Sequence, residues 1–197
     1  MFTIVGVTGA SGIIYGVRLL ESLPGETCVI VSDDAEKIAE IELGMTRRDI
    51  QSLATRHYEN SDMFSPLSSG SVGFDSMVIA PCSTSSMSKI ACGIADNLIT
   101  RAASVALKER RRLVLLIRET PLSSIHLDNM ARLSAAGAVI MPASPGFYPM
   151  PKSVGDMVDI IVGRVLDELG IENKLYRRWA GKEPRPTGNR GSRRTRR

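Results

Sequence analysis

Two stretches of the chain crowd together groups that can hold an anion. The first, VTGASG (7–12), closes a run in which Gly6, Gly9 and Gly12 stand three apart, and it places Ser11 where an apolar run gives way to helical spacing. Glycine lets a ligand approach the backbone, and a helix start offers free N–H groups and the positive end of the helix dipole. That combination predicts a phosphate site at the start of the first helix. The second stretch, PCSTSSMS (81–88), carries five hydroxyl residues, Ser83, Thr84, Ser85, Ser86 and Ser88, in six positions. One serine would cap a helix. Five suit an anionic or heteroatom-rich ligand.

Charged residues recur near the ends of apolar runs. Arg101 and Lys108 lie seven apart, two helical turns on one face. Arg118 and Glu119 close the run RLVLLIRE (112–119), where Glu119 would be poorly solvated and able to trade protons. Arg164 interrupts an apolar stretch, IIVGRVLDEL, where it would pair with Asp167, snorkel or reach a phosphate.

The same residues admit a dinucleotide reading. Gly6, Gly9 and Gly12 fit GxxGxxG, and Asp33 and Asp34 stand near the end of the second apolar run, where an acid would meet a ribose. A short-chain reductase also needs Tyr-x-x-x-Lys on a helix. Tyr148 and Lys152 have that spacing, but Pro149 and Pro151 between them forbid the helix. GxxxxGK[ST] does not occur, so the loop is not a Walker A motif. His57 and His126 form no HExxH, and Cys28, Cys82 and Cys92 form no CxxC, so no metal site is expected. Three cysteines suit reduced thiols in a cytoplasm.

The elements that must position these residues follow from periodicity. Strands are expected at 2–7, 27–32, 75–83, 112–119 and 138–142, and helices at 11–23, 34–43, 123–137 and 154–170. Two more helices flank Gly93, and 44–73 reads as polar and irregular. Apolar strands alternating with amphipathic helices predict an α/β fold, a single doubly wound parallel sheet in a three-layer sandwich. Ligands in such folds sit beyond the carboxyl ends of the strands, here the loops near Gly6, Ser32, Pro81, Arg118 and Pro142.

The chain has 197 residues, which suits one domain, expected over 1–180, with a tail over 181–197. The net charge of +4 comes from that tail: residues 182–197 hold seven of the 25 Lys+Arg and one of the 21 Asp+Glu, leaving a body of 18 against 20. The tail's Arg, Gly, Ser and Pro content predicts disorder. Its charge is read as solubilising rather than as a nucleic-acid site. No apolar run reaches the length of a membrane span, and no basic segment of a secretory signal opens the chain.

Taken in order, VTGASGIIYGVRLL, the run from Pro81 to Met130, GFYPMPKS with the final helix, and the RRW ending at Trp179 resemble the flavin prenyltransferases of the UbiX type. The resemblance covers roughly residues 3–179. It implies a flavodoxin-like or Rossmann-like fold and a homododecamer. It implies binding of FMN and transfer of a dimethylallyl group from dimethylallyl phosphate to flavin N5 and C6, without a metal. The prenylated FMN would serve a UbiD-type decarboxylase. By the same resemblance, Gly9, Ala10, Ser11, Ser32, Ser83, Thr84, Ser85, Ser86 and Arg118 would hold FMN. Arg101, Lys108, Tyr148 and Arg164 would meet the prenyl phosphate. Ser11, Glu42, Lys108 and Glu119 would be the catalytic positions. The alternative is an FMN-dependent cysteine decarboxylase of the same fold. That group uses an active-site histidine, and none lies near Gly6 to Ser11.

Overall fold

The strands form wherever a short apolar run can be buried on both faces, as a parallel sheet covered by helices requires. The computed structural model describes residues 1–181, and the tail expected over 181–197 lies, apart from Gly181, outside them. Six strands make the sheet: β1 (Phe2–Val7), β2 (Glu26–Val31), β3 (Arg56–Glu59), β4 (Ser76–Cys82), β5 (Arg112–Ile117) and β6 (Val139–Pro142). Their order is β3-β2-β1-β4-β5-β6, and every neighbouring pair is parallel. The expected doubly wound three-layer α/β architecture is the one observed.

Alternate strand residues serve opposite layers. Ile4, Ile30, Met77, Ile79, Leu113 and Leu115 face a core closed by α4 (Thr84–Ala91), α5 (Leu98–Lys108) and α6 (Ser124–Ala135). Val5, Val29, Val31, Val78, Val114 and Leu116 face the other, closed by α1 (Ile13–Ser22), α2 (Asp33–Leu43), the short α3 (Arg47–Gln51) and α7 (Val154–Glu168). Two glycines set α1. Gly12 precedes it with φ 99, a conformation that favours glycine, and a Cβ on Gly16 would collide with the Ala80 carbonyl oxygen. The helix therefore lies directly on β4.

The segment 44–73, expected to be irregular, holds α3, β3 and a 3₁₀ turn at Pro66–Ser68. β3 is an edge strand of four residues, RHYE, largely exposed, so no apolar run marks it. Its register runs from Cys28↔Arg56 to Val31↔Glu59. Arg47 ties this edge to α2, reaching Asp33 at 2.6 Å, Glu36 at 2.8 Å and Glu59 at 2.6 Å.

The chain runs outward from β1 through β2 to β3, then returns to place β4 on the other side of β1. The β1/β4 boundary is thus the switch point, where the loops after the two strands leave in opposite directions and a crevice opens beyond their carboxyl ends. Both hydroxyl- and glycine-rich stretches leave the sheet there.

Candidate functional site

Thr8 stitches the two halves of the crevice together. Its Oγ1 donates to the Pro81 carbonyl at 2.8 Å, its amide donates to the same carbonyl at 3.2 Å, and its Oγ1 accepts from the Ser83 amide at 2.7 Å. It is buried. Thr8 is not among the residues expected from the sequence. The signal available was a lone threonine between the last strand residue and the first loop glycine.

On the β1 side, Glu42 takes the place predicted for a phosphate. Its carboxylate accepts from the Gly12 amide at 2.9 and 3.1 Å and from the Ile13 amide at 3.0 Å, closing a helix start that has no other side-chain cap. Two of the amides expected to meet a phosphate at the start of α1 are thus held by a carboxylate of the chain itself. Burial pushes the Glu42 carboxyl up. It is outweighed by the Ser11 side chain, the Gly12 and Ile13 amides and the Arg118 charge, which hold the carboxyl below its ordinary range. Arg118, at the end of β5, donates from Nε to the Ser11 carbonyl at 2.9 Å. Ser11 is exposed between these two charged side chains, with its carbonyl held from one side. Glu119, expected to be poorly solvated, is exposed in the single chain, and its Oε1 accepts from the Thr120 amide at 3.0 Å.

On the β4 side the helix start is open. Ser83 caps α4, its Oγ accepting from the Ser86 amide at 3.2 Å. The amides of Thr84 and Ser85, first and second in the helix, have no acceptor among the described residues, and Ser85 is exposed. Ser32 lies on the other flank of β1. Its amide donates to the Val7 carbonyl at 3.0 Å and its Oγ caps α2 through Ala35 at 3.2 Å. The structure thus brings together Gly9, Ala10, Ser11, Ser32, Glu42, Ser83 to Ser86 and Arg118 around the ends of β1, β4 and β5.

The residues expected to meet the prenyl phosphate are not gathered with them in one chain. Arg101 donates from Nε to the Ser68 carbonyl at 2.9 Å. Lys108 closes α5 beside Glu109, just before β5 begins at Arg112, so it sits at the amino edge of the sheet. Arg164 is one turn before Asp167, its Nη1 3.3 Å from Oδ2, and the neighbouring Glu168 lies 4.0 Å from Arg112. Tyr148 packs edge-on against Trp179 with ring centroids 5.7 Å apart, and Trp179 follows Arg178, which also pairs with Asp167. Tyr148 and Lys152 lie outside any helix, as the prolines required.

The Flavoprotein family matches residues 2–166. The flavin prenyltransferase UbiX of Thermoplasma acidophilum is 54% identical over 180 residues, covering 91% of this chain and 100% of that protein. The chain belongs to the UbiX flavin prenyltransferase family. Its namesake from Methanocaldococcus jannaschii is 52% identical over 181 residues, 91% of this chain and 98% of the relative. Among solved structures, AnUbiX (PadA1) in complex with FMN and dimethylallyl pyrophosphate superposes with a TM-score of 0.90 at 42% identity, over 92% of this chain and 98% of that one. A dodecameric FMN-dependent UbiX-like decarboxylase from Escherichia coli O157:H7 gives 0.89 at 44%, over 92% and 100%. The peptidyl-cysteine decarboxylase EpiD, at 17% identity and a TM-score of 0.58 over 85% of this chain and 97% of that one, shares the fold. No helix of the described residues is long and apolar enough to cross a membrane.

Proposed function

We infer that this chain transfers a dimethylallyl group from dimethylallyl phosphate to reduced FMN, giving prenylated FMN. One observation carries the reading. The open start of α4 and the Ser11–Glu42–Arg118 group both leave the sheet at the β1/β4 switch point, where Thr8 joins their two loops. That pairing offers a phosphate cradle on one side and polar, charged groups on the other, the two ends that an FMN molecule presents. The free Thr84 and Ser85 amides, the hydroxyls of Ser83 to Ser86 and the helix dipole suit the FMN phosphate. Ser32 and the Gly9–Ala10–Ser11 backbone line the way from there, and Arg118 borders the far end.

Bound reduced FMN would supply the two nucleophilic positions, N5 and C6. The chain's residues do the rest. Glu42, kept ionised by the α1 amides, orients the Ser11 hydroxyl toward the reacting end. Glu119 accepts the proton lost from C6. Arg101, Lys108, Tyr148 and Arg164 take the charge that gathers on the departing phosphate. In one chain Lys108 and Arg164 stand toward the amino edge of the sheet, away from Ser11. We therefore place the donor site between copies, with neighbours of the same chain supplying what one lacks. Exposed Phe64, Phe147 and Met150, with Ile41, give the apolar surface such an assembly needs. The E. coli relative is dodecameric, and we propose a homododecamer here. The product would go to a UbiD-type decarboxylase. Free Cys28, Cys82 and Cys92 suit the reducing cytoplasm in which we place the enzyme. The domain is taken as 1–180, with 181–197 as an appended tail.

Purified protein incubated anaerobically with reduced FMN and dimethylallyl phosphate should yield a flavin heavier by one five-carbon unit on mass spectrometry of the extract. Unmodified flavin, with the diphosphate tried in parallel, would sink the reading.

A further inference from the structure

One carboxylate organises the C-terminal end of the chain. Asp167, near the end of α7, accepts from Tyr176 Oη at 2.6 Å, Asn173 Nδ2 at 3.0 Å and Arg164 Nη1 at 3.3 Å. Arg178 approaches it bidentately, with Nη2 on Oδ1 at 2.6 Å and Nη1 on Oδ2 at 3.1 Å. These five bonds, two on Oδ1 and three on Oδ2, use all of the roughly four lone-pair sites a carboxylate offers, with Oδ2 shared among three donors. Its side chain is only 15% exposed. Burial raises its carboxyl pKa, yet Arg178, Tyr176 and Asn173 outweigh it and hold the carboxyl below its ordinary range. The residue after Arg178 is Trp179, whose ring meets Tyr148 edge-on. Arg112, Arg164 and Arg178 stand against the Asp167 and Glu168 carboxylates, so the cluster keeps one positive charge in excess, with Arg178 on the side of Tyr148.

We propose that Asp167 is the positioning residue of the donor-phosphate site: it fixes the Arg164 guanidinium on α7 and pins the segment Asn173–Trp179 so that Trp179 stands against Tyr148. This rests on the function inferred above for Arg164 and Tyr148. Asp167 touches neither substrate. It acts through the arginine and the tyrosine whose places it sets, and the surplus positive charge is left for the phosphate.

The test is Asp167→Asn, with Asp167→Glu as the conservative variant and Tyr176→Phe as a milder one that removes the phenol's bond to Asp167 and its contact with Arg164. In the prenylation assay, Asp167→Asn should raise KM for dimethylallyl phosphate at least ~10-fold while kcat at saturating donor stays within about twofold and the Kd for FMN is unchanged. Asp167→Glu should recover part of the loss, and Tyr176→Phe should shift KM in the same direction by less. Trp179 is the chain's single tryptophan, so its fluorescence anisotropy reads the pinned segment directly. It should fall in Asp167→Asn, and inorganic phosphate should perturb it at a concentration ~10-fold lower in the unmodified protein than in the variant. An unchanged KM, a lower KM, or a parallel loss of FMN affinity and donor affinity would overturn the proposal. If the unmodified protein prenylates nothing, the function fails. The anisotropy and phosphate titrations then still decide the role of Asp167.

Discussion

Two helix starts lie side by side at the crevice and have been given opposite fates. The Gly12 and Ile13 amides that open α1 are held from within, by Glu42. Those that open α4 are left free behind a row of hydroxyls. Both ends carry the same dipole and would attract the same anion. The chain's own carboxylate turns the first into a fixed negative post and leaves the second as a vacancy for a ligand's charge. The contrast also explains where Glu42 sits. It lies in the last turn of α2, where a carboxylate opposes that helix's dipole. What it loses at the end of α2 it recovers at the start of α1.

The sharpest way to break the contrast is to close the open end. Ser85→Asp would give α4 its own carboxylate at the exposed second position. FMN affinity should then fall at least ~100-fold, equivalent to about 2.7 kcal/mol. The unfolding midpoint should hold or rise slightly, since an acid in the first turn stabilises a helix by about 0.3–1 kcal/mol. Isothermal titration with FMN, beside a urea melt, checks both halves. FMN binding unaffected by Ser85→Asp would put the phosphate elsewhere.

Opening the closed end is the next test. Glu42→Ala strips the acceptor from the Gly12 and Ile13 amides. Stability should drop by about 1–2 kcal/mol, as for loss of a helix cap, lowering the thermal midpoint by roughly 2–8 °C for a chain of this size. Calorimetry reads the shift, and the same variant should prenylate more slowly because Ser11 has lost its neighbour.

The smallest effect is the pH dependence of that cap. Because the Glu42 carboxyl is held below its ordinary range in the folded chain, its contribution is complete above the unfolded carboxyl pKa, about 4.3, and is lost as pH falls through the lower folded value. The stability gap between the unmodified protein and Glu42→Gln should therefore be constant from about pH 7 to about pH 5 and narrow below about pH 4. A gap that widened on acidification would contradict the assigned role.

Much of this was written in the order of residues. The five apolar strands, the six long helices and the break at Gly93 follow from period and punctuation, because each element buries a face that its own sequence must make apolar. β3 escaped because an edge strand of Arg56, His57, Tyr58 and Glu59 buries almost nothing and is held by Arg47 from another element. The serine row of α4 was legible as more than a cap. The closure of α1 was not, because it depends on a side chain thirty residues away, and glycine-rich loops look alike whether they await a phosphate or already hold a carboxylate. Asp167 was legible as a partner of Arg164 by helical spacing. Its bonds to Asn173, Tyr176 and Arg178 were invisible, since they come from a segment with no periodicity.

The place of β1 in the sheet has a consequence for how the protein comes into being. One edge of β1 is met by β2, some twenty residues on, and the other by β4, more than seventy residues on. Thr8 cannot make its contacts with Pro81 and Ser83 until that second, distant partner arrives. During synthesis the first half of the chain thus carries one unsatisfied flank of a central strand, and the crevice does not exist in part. Flavin captured by a growing chain would report that this long loop has closed, and folding should be slow for the protein's size because its central pairing is so far apart in sequence.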